Sequence, residues 1–148
     1  MAIVTNDPGG TIAEDMRRLP REARKHARPK LRQAGDLIGA EAQSRASWST
    51  RIPATVRVTT SFRFDREGVT VSAGGPSTPH ARPYEGTRRN PFRHPVYPDQ
   101  DVTRSDWTWV SQAARPFLIP AGRALSYQAE PLIMQGLGEA AAVIGFTG

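Results

Sequence analysis

A chain of 148 residues fits one domain and is too short for two generous ones. Only 38% of it is apolar, while 13 prolines and 13 glycines imply a modest core and much irregular backbone. The absence of cysteine excludes a disulfide framework, a thiolate nucleophile and a zinc–thiolate site. The net charge of +6 is carried almost wholly by 18 arginines against 2 lysines. That bias has two readings: rigid planar forks for carboxylates and phosphates at interfaces or on nucleic acid, or the amino-acid usage of a GC-rich genome.

Residues 1–10 read as a flexible N-terminus without the basic start and apolar run of a signal peptide. No segment approaches the roughly 18 apolar residues that span a bilayer. The expectation is a protein made and used in a cytoplasm, with no membrane partner.

Residues 11–47 carry a helical pattern. Ala23, Ala27, Leu31, Ala34, Ile38 and Ala42 recur at steps of four and three and share one face. Arg17, Arg21, Arg24, Arg28 and Arg32 recur beside them as a basic stripe. It is either a solvated face whose stems flank the core or a face for phosphate or carboxylate. Pro20 suits a helix start, whereas Pro29 removes an amide donor, so a short helix followed by a longer one, kinked or broken near Pro29, is expected. Gly35 and Gly39, one turn apart, permit another element to approach closely.

Residues 54–73 read as a β-hairpin. Val56, Val58, Thr60, Phe62 and Phe64 alternate with Arg57, Thr59, Ser61 and Arg63, and after Asp65-Arg66-Glu67-Gly68 the alternation resumes in Val69, Val71 and Ala73. One face should pack on the helices while Arg57 and Arg63 look outward.

Residues 74–106, rich in Pro, Arg and Gly, read as an extended interaction loop, because connections this long are uncommon unless they function or are disordered. Tyr84, Phe92 and Tyr97 are interleaved there with arginines, a composition suited to contact with protein or nucleic acid. Residues 107–113, with Trp107 and Trp109 on one face if extended, read as a third or fourth strand or a contact strip. The tryptophan pair is equally readable as core or as interface. Residues 116–145 read as a C-terminal helix, kinked or divided by Pro131 and packed on the first long one. The fold class is therefore α+β: a small antiparallel sheet against two long kinked helices, with a long Pro/Arg-rich loop.

Residue chemistry points away from catalysis. His26, His80 and His94 are scattered, with no second ligand at metal-site spacing, and Asp99 and Asp101 lack the glycine and terminal glutamate of a calcium loop. Pro8-Gly9-Gly10 and Gly74-Gly75 lack a following Gly-Lys-Ser/Thr, and no Gly-x-Ser-x-Gly elbow occurs. No catalytic, cofactor or metal site is expected.

Two short motifs carry a resemblance. The order of basic helix, hairpin ending in Val71-Ser72-Ala73-Gly74, loop with Ala81-Arg82-Pro83-Tyr84-Glu85-Gly86-Thr87, and helix opened by Ala114-Arg115-Pro116-Phe117-Leu118-Ile119-Pro120-Ala121 resembles the tail-component (neck, or tail-completion) family of long-tailed bacteriophages. It covers residues 20–144. Trp48-Ser49-Thr50-Arg51-Ile52-Pro53 stands where that family often has a Thr-Gly-x-Leu step, and residues 88–106 are longer than its typical loop. The resemblance implies a structural virion protein, not an enzyme, assembled with copies of itself as a ring around the DNA channel at the head-tail junction. It also implies head-closure (adaptor) and tail-terminator proteins as partners, and genomic DNA passing non-specifically. Tyr84, Phe92, Arg93, Trp107 and Trp109 are the expected protein contacts, with Phe117 and Leu118 anchoring the last helix. Arg88, Arg89, Arg57 and Arg63 are the expected basic positions at the channel or an interface. The alternative is a free, sequence-nonspecific nucleic-acid-binding protein using the arginine-rich helix.

Overall fold

The computed structural model describes residues 20–63, 68–86, 91–96 and 108–145. Outside the described residues lie the expected flexible N-terminus and first short helix, Arg17, Phe64, the turn residues 65–67, Arg88, Arg89, Tyr97, Asp99, Asp101 and Trp107. The described chain is α+β: helix α1 (Arg21–Arg45), strands β1 (Arg57–Ser61) and β2 (Gly68–Ser72), a five-residue helix α2 (Ala81–Glu85), strands β3 (Phe92–Val96) and β4 (Thr108–Gln112), and helix α3 (Leu118–Val143).

Helix α1 forms where the apolar spacing expects it. Ala23, Ala27, Leu31, Ala34, Gly35, Gly39 and Ala42 are its buried residues. The Pro20 carbonyl accepts the first helical bond, from the Arg24 amide at 3.1 Å. Neither Pro29 nor Pro131 ends its helix: α1 runs on through the first and α3 through the second. Both prolines are exposed, as are Lys25 and Tyr127 one turn back, so water can satisfy the carbonyls that lose an amide partner.

The long helices pack on each other. Ala23, Ala27 and Leu31 of α1 share one core cluster with Phe62 and with Leu137 and Ala140 of α3. Ala42 and Ala46 share the second with Ile52, Val71, Ala81 and the start of α3 at Phe117, Leu118 and Ala121. The start of one helix thus meets the end of the other, so the pair is antiparallel. Small residues bring the axes close. A Cβ at Gly136 would lie 2.9 Å from Lys30 Cβ and 3.1 Å from the Ala27 carbonyl oxygen. Two residues on, Gly138 faces open space. Gly138→Ala is therefore expected to stabilise the chain by about 1 kcal/mol through helix propensity alone, measured by urea unfolding.

Strands β1 and β2 pair antiparallel with Val58 opposite Val71 and Thr60 opposite Val69. This inward face lies on the glycine step of α1. A Cβ at Gly35 would collide with Cγ1 of both Val58 and Val69, and one at Gly39 would stand 3.1 Å from Val58 Cγ2. The close approach expected of those glycines is the seat of the hairpin. The open edge of β1 is covered from α1: Arg32 Nη1 donates to the Val58 carbonyl at 3.1 Å and Arg28 Nη1 to the Thr60 carbonyl at 3.4 Å.

The sheet differs from the expected arrangement. Strand β4 joins no hairpin sheet; it pairs antiparallel with β3, a strand inside the segment expected as loop, and gives a second two-stranded sheet. Pro95 is the reason β3 is hard to read, since a proline cannot donate to a ladder and demotes a run to an edge or to none. A two-stranded ribbon consists only of edges, so it admits one.

Candidate interaction surfaces

The two motif segments are one structural unit. The Glu85 carboxylate, at the end of α2, accepts hydrogen bonds from the amides of Phe117 at 3.0 Å, Leu118 at 2.8 Å and Ile119 at 2.6 Å. Those are free amides at the start of α3, where an anion also meets the positive end of the helix dipole. No side chain of Phe117 itself caps that end. One residue earlier, the Tyr84 carbonyl accepts the Arg115 amide at 2.9 Å. Gly86 follows at φ 117°, a backbone conformation that glycine adopts without strain.

Around that joint the aromatic residues gather. Tyr84 lies 4.6 Å from Trp48 and 5.1 Å from Phe92 between ring centroids, with the second pair edge to face. Arg115 places its guanidinium 5.5 Å from the Trp48 ring centre. Tyr84 and Phe92, expected as protein contacts, are half-buried, and Tyr84 packs against the core cluster at the start of α3. Phe117 and Leu118, each 1% exposed, anchor that helix as expected.

The β3–β4 ribbon carries the exposed part of the expected contact set. Arg93 and Pro95 share one face with Ser111 and Trp109, since Arg93 stands opposite Ser111 and Pro95 opposite Trp109. The Arg93 guanidinium lies 5.9 Å from the Trp109 ring centre, and Trp109 is 45% exposed. On the opposite face Phe92 turns toward Tyr84, while Val96 and Val110 are exposed. Beyond its own pairing, the ribbon packs on no other element extensively.

The basic surface lies elsewhere. An open notch of about 500 Å³ is lined by Arg21, Arg24, Lys25, Arg28 and Arg63 around Phe62. Arg28 and Arg24 lie 5.2 and 5.9 Å from the Phe62 ring centre, so the stripe of α1 also shields a core aromatic. Within the helix the stripe residue Arg32 pairs with Asp36, and outside the stripe Lys25 pairs with Glu22 and Arg45 with Glu41, all exposed to a degree that leaves each pair little stabilising effect. Arg57 is exposed on β1, beside an open groove of about 620 Å³ that Arg32, Asp36 and Gln43 also line. Arg57 and Arg63 thus belong to separate openings.

Sequence reasoning missed Glu85 as a cap and Trp48 and Arg115 as partners of Tyr84. A helix with no Ser, Thr, Asp or Asn before Leu118 was the available signal, because its amides then need an acceptor from elsewhere. It also missed Tyr127 and Met134 on the outer face of α3, 68% and 53% exposed. Among the described residues there is no group of three His, Asp or Glu side chains that could hold a metal ion, and no helix long and apolar enough to cross a membrane. The described residues form a small α+β chain with an arginine-lined notch on one side and exposed Trp109, Tyr127 and Met134 elsewhere. The chain matches no protein-family model, no curated protein and no solved structure.

Proposed function

We propose that this chain is a structural virion protein of the neck of a long-tailed bacteriophage, a ring subunit that joins head and tail around the DNA channel. The observation that carries the reading is the joint between Glu85 and the amides of Phe117, Leu118 and Ile119. It makes the two motifs that resemble the tail-component family physically interdependent, which independent short matches would not be. A modest core and a two-stranded ribbon with Trp109 exposed fit a subunit completed by its neighbours. In this reading the role is structural rather than catalytic. The Pro/Arg-rich segment 74–106 serves as an interaction arm, Pro29 and Pro131 bend the long helices, and the contacts run through Arg93, Trp109, Trp107 and the surroundings of Tyr84 and Phe92. The neighbours are head-closure and tail-terminator proteins, and Arg57, Arg63, Arg88 and Arg89 face DNA or a neighbour.

One observation favours a second reading. The cationic notch around Phe62 suits phosphate contact, as a free nonspecific nucleic-acid-binding protein would require. That protein would bind DNA as an isolated monomer with an affinity falling steeply with salt, whereas a connector subunit would depend on its partner proteins. Electron microscopy of lysates from a phage lacking this gene tests the first reading. DNA-filled heads with separate tails are expected; intact virions would overturn it.

A further inference from the structure

The outer face of α3 is unlike the outside of α1. Opposite the buried stripe of Leu118, Ala121, Ala129, Gly136 and Ala140, the exposed face presents Ala124, Tyr127, Pro131, Met134 and Gly138. This outer strip is flanked by the exposed polar residues Arg123, Gln128, Glu130, Gln135 and Glu139, and an apolar strip so framed on the side away from the core is the pattern of a contact surface. After Arg123 the charged residues of α3 are Glu130 and Glu139, both exposed, so the C-terminal two-thirds of this helix is weakly acidic. The β3–β4 ribbon has the complementary character: its Trp109 face carries Arg93, and neither strand contains an acidic residue. Tryptophan, tyrosine, methionine and arginine are the side chains enriched at the centres of protein interfaces. The ribbon meets its own body through Phe92, which packs on Tyr84, and its strands do not pack extensively on α3 of the same chain.

We infer that the Arg93–Trp109 face of the ribbon docks on the Tyr127–Met134 face of α3 in a second copy of this chain. The inference rests on the ring reading and supplies its interface. Two different patches that fit each other make a head-to-tail contact, which every copy offers at both ends and which closes into a ring when the rotation permits. Glu130 meets Arg93 at the rim and sets the orientation, while Trp109 covers the apolar strip between Tyr127 and Met134.

The cysteine-free chain makes the test clean. Purified full chain carrying both Ser111→Cys and Met134→Cys is treated with a short bis-maleimide, resolved by denaturing electrophoresis, and compared with each single variant by analytical ultracentrifugation. A ladder of covalent multimers from the double variant alone is expected. Covalent dimers from Met134→Cys by itself would mean that two α3 faces meet symmetrically, and would overturn the inference. Multimers in the ultracentrifuge without a ladder would overturn this interface while leaving the ring reading standing. A chain that stays monomeric at its highest soluble concentration would also overturn the inference, and the ring reading would then rest on the particle phenotype. As a second variant, Tyr127→Asp is expected to weaken self-association roughly tenfold or more with the monomer's thermal unfolding unchanged; association at the parent level would count against the contact.

Discussion

Glu85→Ala is expected to lower the unfolding free energy by about 3 kcal/mol, more than an ordinary lost helix cap, which costs roughly 1 kcal/mol. The excess follows from the number and setting of the donors. Three successive amides, those of Phe117, Leu118 and Ile119, converge on one carboxylate. Phe117 and Leu118 are buried, so water replaces the lost acceptor poorly. The charge also interacts with the helix dipole, which a neutral acceptor does less well. Glu85→Gln, which keeps one carbonyl oxygen but brings an amide group toward the same donors, is expected to recover less than half of the loss. Urea unfolding of both variants gives the comparison, and a loss under about 1 kcal/mol for the alanine variant would mean that the cap is replaceable. Because the same contact holds Tyr84 beside Trp48, the loss should be accompanied by a change in tryptophan fluorescence before global unfolding.

The other large effect is expected at Gly136, where Gly136→Val should cost about 3 kcal/mol or prevent folding. An added Cβ there meets Lys30 Cβ and, at 3.1 Å, the Ala27 carbonyl oxygen. Backbone cannot step aside as a flexible side chain can, so the helices must separate. Separation would open the space around Ala23, Ala27, Leu31, Leu137 and Ala140, whose small side chains have no reach to refill it. Gly138→Ala provides the control of opposite sign two residues away. Chemical unfolding of the pair distinguishes a crossing point from a general intolerance of change in α3: similar losses at both positions would refute the crossing argument.

Much of the fold was legible because its elements repeat on their own period. The alanine-leucine spacing of α1, the alternation around Val58 and Val71, and the glycines at 35 and 39 are local patterns with one geometric outcome each. Ribbon strand β3 was not legible. Phe92-Arg93-His94-Pro95-Val96 has a proline where a strand needs a donor, and it becomes a strand only because β4, 12 residues further along at its nearest end, supplies a partner. The interaction surfaces divided in the same way. Trp109 and Arg93 could be proposed from residue type and loop composition, and both are exposed. Tyr84 is an aromatic residue in the same loop segment as Arg93, yet it packs among Trp48, Phe92 and the start of α3. Residue type sets what a side chain can do, and only its neighbours in space decide whether it does so inside or outside the molecule.

By itself the amino-acid sequence determined the two long helices, the first hairpin, the arginine-dominated charge and the lack of cysteine chemistry, because these depend on composition and on spacings of a few residues, whereas the five-residue α2 falls in the segment expected as loop. The tertiary structure alone decided that Glu85 closes the end of a helix more than 30 positions away, that Pro29 and Pro131 ride the exposed side of unbroken helices, and that Tyr127 and Met134 lie uncovered. Each of these depends on which segments meet across the fold, a long-range pairing that no local period encodes.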